Sequence, residues 1–280
     1  MAKVFVLLAF LLAPVISVRA DPLDPREIVR RSIAAEIENS KRAKNYTFLQ
    51  RTEERDMDDS GKVKTKQSKT YDVTMLDGSS YRRLIERDDH PLPPKEQKKE
   101  QDKLRASLSE RRHETQAQRD KRVSEYDNRP GRSRSMLSEI PEAFDFHLCK
   151  EDTVDGHPVY MIEGTPRPGY VPRSTDARLL LPKLKITVWI DKANFAWVRI
   201  DADVIDTITW GLYLFRLSQG ARFELHQTLV NGEVWLPRYS RVAGSARIAL
   251  VKKLNLEQEM TFKNFRKFQT DSQMVSTTAP

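Results

Sequence analysis

One cysteine, Cys149, in 280 residues leaves no possibility of a disulfide within the chain. Whatever holds the chain together must therefore be its own packed core. Cys149 itself is expected as a buried thiol rather than a nucleophile beside His147. Histidine is almost as scarce. The five, at positions 90, 113, 147, 157 and 226, are scattered, and no two stand three or four residues apart. That excludes the short His motifs of metal sites, and no cofactor is expected. The ten glycines include no phosphate-cradling loop, no Gly-x-Ser-x-Gly elbow sits among them, and no His-Glu-x-x-His occurs. The chain is thus expected not to be an enzyme. Beyond residue 18 no apolar run reaches the ~20 residues needed to span a membrane.

The apolar run that does exist lies at the start. Lys3 precedes a stretch, 4–18, that is apolar apart from Pro14 and Ser17, and Val18-Arg19-Ala20 offers small residues at a cleavage site. Residues 1–20 therefore read as a secretory signal peptide. Residues 21–270 are expected as a single domain and 271–280 as a disordered tail. An exported chain without disulfides suits a bacterial periplasm. The net charge of +8 falls to +6 once Lys3 and Arg19 are removed. Between Lys95 and Arg134 thirteen basic residues stand against eight acidic ones. The interleaved acids dilute that field, so no nucleic-acid partner is expected, and a solvated helix face is the preferred reading.

The most patterned stretch is 184–205. Leu184, Ile186, Val188 and Ile190 alternate with Lys185, Thr187, Trp189 and Asp191. After a short Asp-Lys-Ala-Asn connection, Ala196, Val198, Ile200, Ala202 and Val204 alternate with Trp197, Arg199, Asp201 and Asp203. Period-2 alternation rich in β-branched residues predicts a half-buried antiparallel hairpin with one apolar and one charged face.

Upstream, Asp24-Pro25 starts an amphipathic helix whose apolar face is Ile28, Val29, Ile33, Ala34 and Ile37. Residues 45–87 predict three strands separated by Asp58-Asp59-Ser60-Gly61 and Asp77-Gly78. Residues 95–129 contain no Gly or Pro and almost no apolar stripe, predicting an exposed charged helix of up to ~50 Å inserted across 91–134. Residues 128–134 (NRPGRSR) are expected as a hinge, and 167–178 as an irregular loop. Residues 208–218 are ambiguous between helix and strand. Asn231-Gly232 marks another hairpin, and the strands after it end near Phe268. About ten strands with short turns make this a mainly β (α+β) chain. Its expected form is a large curved antiparallel sheet or unclosed β-barrel, with the N-terminal helix over its concave apolar face.

Trp189-Ile190-Asp191, the strand Val198-Arg199-Ile200, and Trp235-Leu236-Pro237-Arg238 after a hairpin resemble periplasmic proteins of the outer-membrane lipoprotein-sorting type, the LolA-, LolB- and RseB-like carriers and regulators. The resemblance implies an unclosed barrel with helices in its mouth and an interior that binds acyl chains. The insertion 95–134 departs from it.

Ile186, Val188, Ile190, Val198, Ile200 and Val204, with Phe223, Leu225 and Leu229, are the candidate ligand-binding residues. Two readings of that face stand. A lipid or a lipoprotein's acyl chain enters it, or helices plug it. A rival function is a structural or docking module whose charged arm, 95–134, engages membrane head groups or an acidic envelope protein. Asp201 and Asp203, at a spacing suited to a glycosidase pair, are expected on the solvated exterior.

Overall fold

The computed structural model describes residues 23–210, 215–248 and 252–268, so the leader and the tail read from the sequence lie outside the described residues. Helix α1 (Pro25–Ala43) begins as expected, with the Asp24 carboxylate accepting from the Arg26 N–H at 3.1 Å and proline in the first turn. Strands β1 (Tyr46–Met57), β2 (Val63–Leu76) and β3 (Ser79–Arg87) follow, with the two-residue β4 (His90–Pro91). Two helices come next, α2 (Pro94–Arg112) and α3 (Gln116–Ala143). Then come β5 (Phe144–Val154), β6 (His157–Pro166), the short α4 (Thr175–Leu180), β7 (Leu184–Asp191) and β8 (Trp197–Val204). The chain finishes with β9 (Ile208–Trp210), β10 (Phe215–Leu217), β11 (Arg222–Val230), β12 (Val234–Ile248) and β13 (Lys252–Lys267).

All thirteen strands among the described residues belong to one antiparallel sheet, ordered β4-β3-β2-β1-β13-β12-β11-β8-β7-β6-β5, with β10 beside β12 and β9 beside β10. Its edges, β4 and β5, do not pair, so the sheet stays open, and the α2–α3 segment is the chain that connects one edge to the other.

The register explains both faces. One row runs across the sheet through Arg87, Lys69, Thr52, Met260 and Ser240. It continues through Leu225, Ile200, Val188, Ile162 and Leu148. The row one residue along, on the opposite face, is Ser68, Glu53, Glu259, Arg241, Glu224, Asp201, Thr187, Glu163 and His147. Alternation thus yields an inner row that grades from basic to apolar and an outer row that is almost wholly polar and charged.

Ion pairs within and between strands hold the outer row. Arg199 grips Asp201 through two bonds of 2.9 and 2.6 Å, Arg241 reaches Glu257 and Glu224, and Lys185 reaches Glu163 at 2.9 Å. Glu53 is buried there. Burial opposes its ionisation, but Arg51, Lys66 and Arg55 around it keep the carboxyl below its ordinary range. Asp201 and Asp203 are held by Arg199 and Arg222, so each is an ion-pair partner on the outer face.

Several expectations change. The insertion is two helices, because Thr115 and Gln118 form a reciprocal capping box that restarts the helix after His113. The expected hinge at 128–134 is part of α3, continuous with the helical residues on either side. Residues 167–178 include α4, capped by Ser174. Residues 208–218 give two three-residue strands, with 211–214 outside the described residues. Cys149 is exposed, not buried, because the β5–β6 pairing shifts register between Leu148 and Lys150 and leaves it unpaired.

Candidate functional site: an unevenly covered inner face

The inner face is covered at its apolar end. Ile28, Val29 and Ile33 of α1 pack on Ile162, Ile186, Val188 and Ile190, with Phe144 and α4's Ala177 closing the same cluster. Met136, Leu137 and Ile140 of α3 lie against it. Polar clips fix α1 in place. Trp197 donates its indole N–H to Ser32 at 2.9 Å, and the buried Asn39 amide both donates to the Trp235 carbonyl and accepts from the Trp235 N–H, each at 2.8 Å. Glu139 of α3 is buried too. Desolvation opposes its charge, but the Arg173 and Ser174 backbone N–H groups, at 2.6 and 3.0 Å, hold its carboxyl below its usual range. That carboxylate pins the 167–174 loop over the plugged end.

Further along the face the covering thins. Between the second half of α1 and strands β11 and β12 lies a cavity of about 400 Å³, lined by Glu36, Asn39, Ala43, Leu225, Gln227, Trp235 and Pro237, with Tyr126 from α3 at its wall. A second, of about 260 Å³, sits over β1, β2 and β13 between Gln50, Thr52, Tyr71, Arg82 and Met260. A third, of about 650 Å³, runs under α2 along Lys69, Tyr71, Leu84 and Arg87. The second and third share Lys69 and Tyr71 and form one trough.

The two helices of the insertion are docked over this end by arginine. Arg111 donates to the Leu76 carbonyl, and Arg122 to the Asp77 carbonyl at 3.1 Å and to Ser79 Oγ at 2.7 Å. Arg122 also pairs with Glu114 through two 2.7 Å bonds. Val123 lies so near Gly78 that a Cβ there would come within 3.1 Å of it. The insertion is thus tied down on the β2–β3 turn. Its α2 surface remains exposed, and it brings Lys95, Lys99 and Lys103 over the trough. Lys103 pairs with Glu100 and Arg87 with Glu96, whereas Lys69, Lys95 and Lys99 have no carboxylate of the described residues within salt-bridge distance.

Of the nine residues singled out in the sequence, the structure places Ile186, Val188 and Ile190 beneath the plug, with Ile200 against it. Val204 belongs to a second cluster around Ile208 and Ala246, with Phe223 packed on it. Val198 lies in a third with Val159, Trp235 and Leu229, apart from Ile200. The cause is a register shift between Trp189 and Ile190 against β8, which puts Trp197 rather than Val198 on the α1 side. Leu225 alone lines the open cavity.

Missed in the sequence was Glu36. It interrupts the apolar face of α1 between Ile33 and Ile37. Burial pushes its carboxyl up to about 7, against hydrogen bonds from Gln227 and Asn39. A charged residue at a helix position flanked by core residues was the available signal.

No family model matches the chain, and no curated protein matches it. Solved structures do. A domain of the outer membrane lipoprotein-sorting type from Vibrio parahaemolyticus is similar at 11% identity and a TM-score of 0.35, covering 88% of this chain and 95% of that one. A LolA superfamily protein from Nitrosomonas europaea is similar at 9% identity and 0.32, covering 89% and 94%. MucB, in the Pseudomonas aeruginosa MucA/MucB complex, is similar at 11% identity and 0.26, covering 88% and 99%. These likenesses are of fold.

Among the described residues no helix is long and apolar enough to cross a membrane, and no cluster of three or more His, Cys, Asp or Glu could hold a metal ion.

Proposed function

We propose that this chain is an exported, non-enzymatic binding protein of a bacterial envelope that holds the apolar part of a lipid or lipoprotein in the uncovered half of its inner sheet face. One observation carries the reading. A single sheet face is sealed by α1, α3 and α4 over β5–β8 and left with cavities over β11–β13 and β1–β3. An open sheet that needed only a core would be covered along its whole length. The leader pattern at 1–20 supports export, and a periplasmic setting agrees with the absence of any possible internal disulfide.

The test is mass spectrometry of an organic extract of the purified protein, together with uptake of a pyrene-labelled acyl alcohol. We expect one bound acyl chain per molecule, and about tenfold weaker uptake by Leu225→Trp, which narrows the cavity of about 400 Å³. A clean extract with no uptake by the unaltered protein overturns the reading.

A second reading, docking to an anionic surface, is favoured by Lys69, Lys95 and Lys99 on the trough under α2. In that case binding to vesicles containing anionic lipid should fall steeply between low and physiological salt. Binding indifferent to salt would exclude it.

A further inference from the structure

Helix α2 faces the sheet with its charge. A covering helix ordinarily turns an apolar stripe inward and its lysines outward. Here Lys95, Lys99 and Lys103, four residues apart along one edge of α2, line the trough together with Lys69 of β2 and Arg87 of β3. Two costs come with that arrangement. Like charges four apart on a helix repel, and so do like charges directly opposite on paired strands, as Lys69 and Arg87 are. Among the described residues only two carboxylates line the trough with these cations, and each is taken, Glu96 by Arg87 at 3.1 Å and Glu100 by Lys103. Glu54, the carboxylate of the adjoining cavity, accepts instead from the Gln67 and Gln258 amides at 3.2 and 3.0 Å. A surplus of three positive charges remains, on Lys69, Lys95 and Lys99.

Helix α2 is not free to swing away and relieve them. Its first turn is held by the Arg87–Glu96 pair and by Gln97, which donates to the carbonyl of the buried Leu92 at 2.6 Å. Its last turn is held by Arg111 on the Leu76 carbonyl. Tyr71, with the Arg82 guanidinium 4.3 Å from its ring centre, and Leu84 supply the apolar part of the lining. Lys95 and Lys99 are exposed and Lys69 is half-buried, so an ion from solution can reach all three. The unpaired cations thus stand on two sides, helix and strand, of a space of about 650 Å³.

We propose that the trough between α2 and strands β2 and β3 binds a phosphomonoester dianion, with Lys95 and Lys99 from the helix and Lys69 from the strand as its donors. This rests on the second reading above and deepens it, because the lysines take the head of one molecule inside a trough rather than lie against a surface. A dianion neutralises two of the surplus charges, and its terminal oxygens offer each lysine an acceptor. A sulfate ester or a carboxylate neutralises only one. The same head occurs on lipids and on soluble esters, and an alkyl chain able to lie on Tyr71 and Leu84 separates the two sources.

The experiment is calorimetric titration of the purified protein at pH 8 and low salt with ethyl phosphate, ethyl sulfate, and decyl phosphate below its micelle concentration. Ethyl phosphate should bind one per molecule and at least about fivefold more tightly than ethyl sulfate, which has nearly the same shape and one charge fewer. The double variant Lys95→Gln/Lys99→Gln should weaken ethyl phosphate by about tenfold or more. It should not lower the urea midpoint of the free protein, since the repulsion leaves with the charges. Lys185→Gln, on the outer face, should leave the titration unchanged. Tighter binding of decyl phosphate than of ethyl phosphate assigns the head to a lipid and equal binding assigns it to a soluble ester, and either supports the site. Equal binding of ethyl phosphate and ethyl sulfate overturns the proposal, and so does phosphate binding that survives the double variant. Salt-sensitive binding to anionic vesicles would then leave the surface reading standing, and its absence would overturn both.

Discussion

The two ends of the inner face belong to one sheet and one continuous register row, yet they are finished differently. Over β5–β8 the row reads Leu148, Ile162, Val188 and Ile200, and three helices press on it until Ile28 and Ile162 are fully buried. Over β1–β3 and β13 the same row reads Met260, Thr52, Lys69 and Arg87, and the covering helix α2 buries no residue of its own. The first end is held by hydrophobic area. The second is held by arginines reaching carbonyls, with cavities left beneath. Burial of apolar surface drives the one, and a handful of directional bonds positions the other. The contrast teaches that a continuous sheet can carry a rigid half and an accessible half without a domain boundary.

The contrast breaks most visibly at α1. Replacing Ile28, wholly buried in the plug, with Ala should cost about 4 kcal/mol and lower the urea midpoint sharply while sparing probe affinity in the fraction that remains folded. Leu225→Ala, on the open cavity, should do the reverse, with weaker probe binding and a cost of less than about 1.5 kcal/mol. Equal stability losses from the two would remove the distinction.

Glu36, at the border between the halves, gives the next effect. Its folded-state value near 7 lies above its ordinary 4.5, so the folded state holds the proton more tightly than the unfolded chain. Its contribution is therefore intact below pH 4.5, declines as pH rises from 4.5 to 7, and stays lost above. Glu36→Gln should be indistinguishable from the unaltered protein at pH 4 and more stable at pH 8, by up to about 3 kcal/mol in urea titrations. A difference that does not change between those pH values would show that Glu36 is not shielded from water.

The smallest effect is on the outer face. Lys185 and Glu163 lie at 2.9 Å with about two-fifths of each side chain exposed. Lys185→Ala should shift stability by less than about 0.5 kcal/mol, and that shift should shrink in salt.

Much of this could be read from the amino acids in order. The Asp24-Pro25 start, the turns at Asp77-Gly78 and Asn231-Gly232, and the alternation of β7 all appear where local chemistry demands them. Each turn has its Asp or Asn at positive φ ahead of a glycine, a conformation few other pairs adopt cheaply. What escaped has two causes. A register shift such as the one that moves Val198 away from Ile200 leaves no mark in a period-2 pattern. Arginine docking of α2 and α3 needs no apolar stripe, so a helix that looks solvated all round can still be fixed to a sheet. The candidate site was legible only as an apolar face. Which part of it helices seal depends on contacts between residues far apart in sequence, such as Asn39 with Trp235.

One pairing bears on how the molecule comes to exist at all. Strand β1 lies between β2 and β13, so the seam at the middle of the sheet joins Tyr46 to Lys267 and Met57 to Asn255. A chain that crosses a membrane from its amino end first would present β1 long before its partner arrives. Such distant partners make the seam slow to form. Until β13 is delivered, β1 has a free hydrogen-bonding edge, and the two meanders are separate fragments. The closing step of folding is then also the step that joins the sealed half of the sheet to the open one.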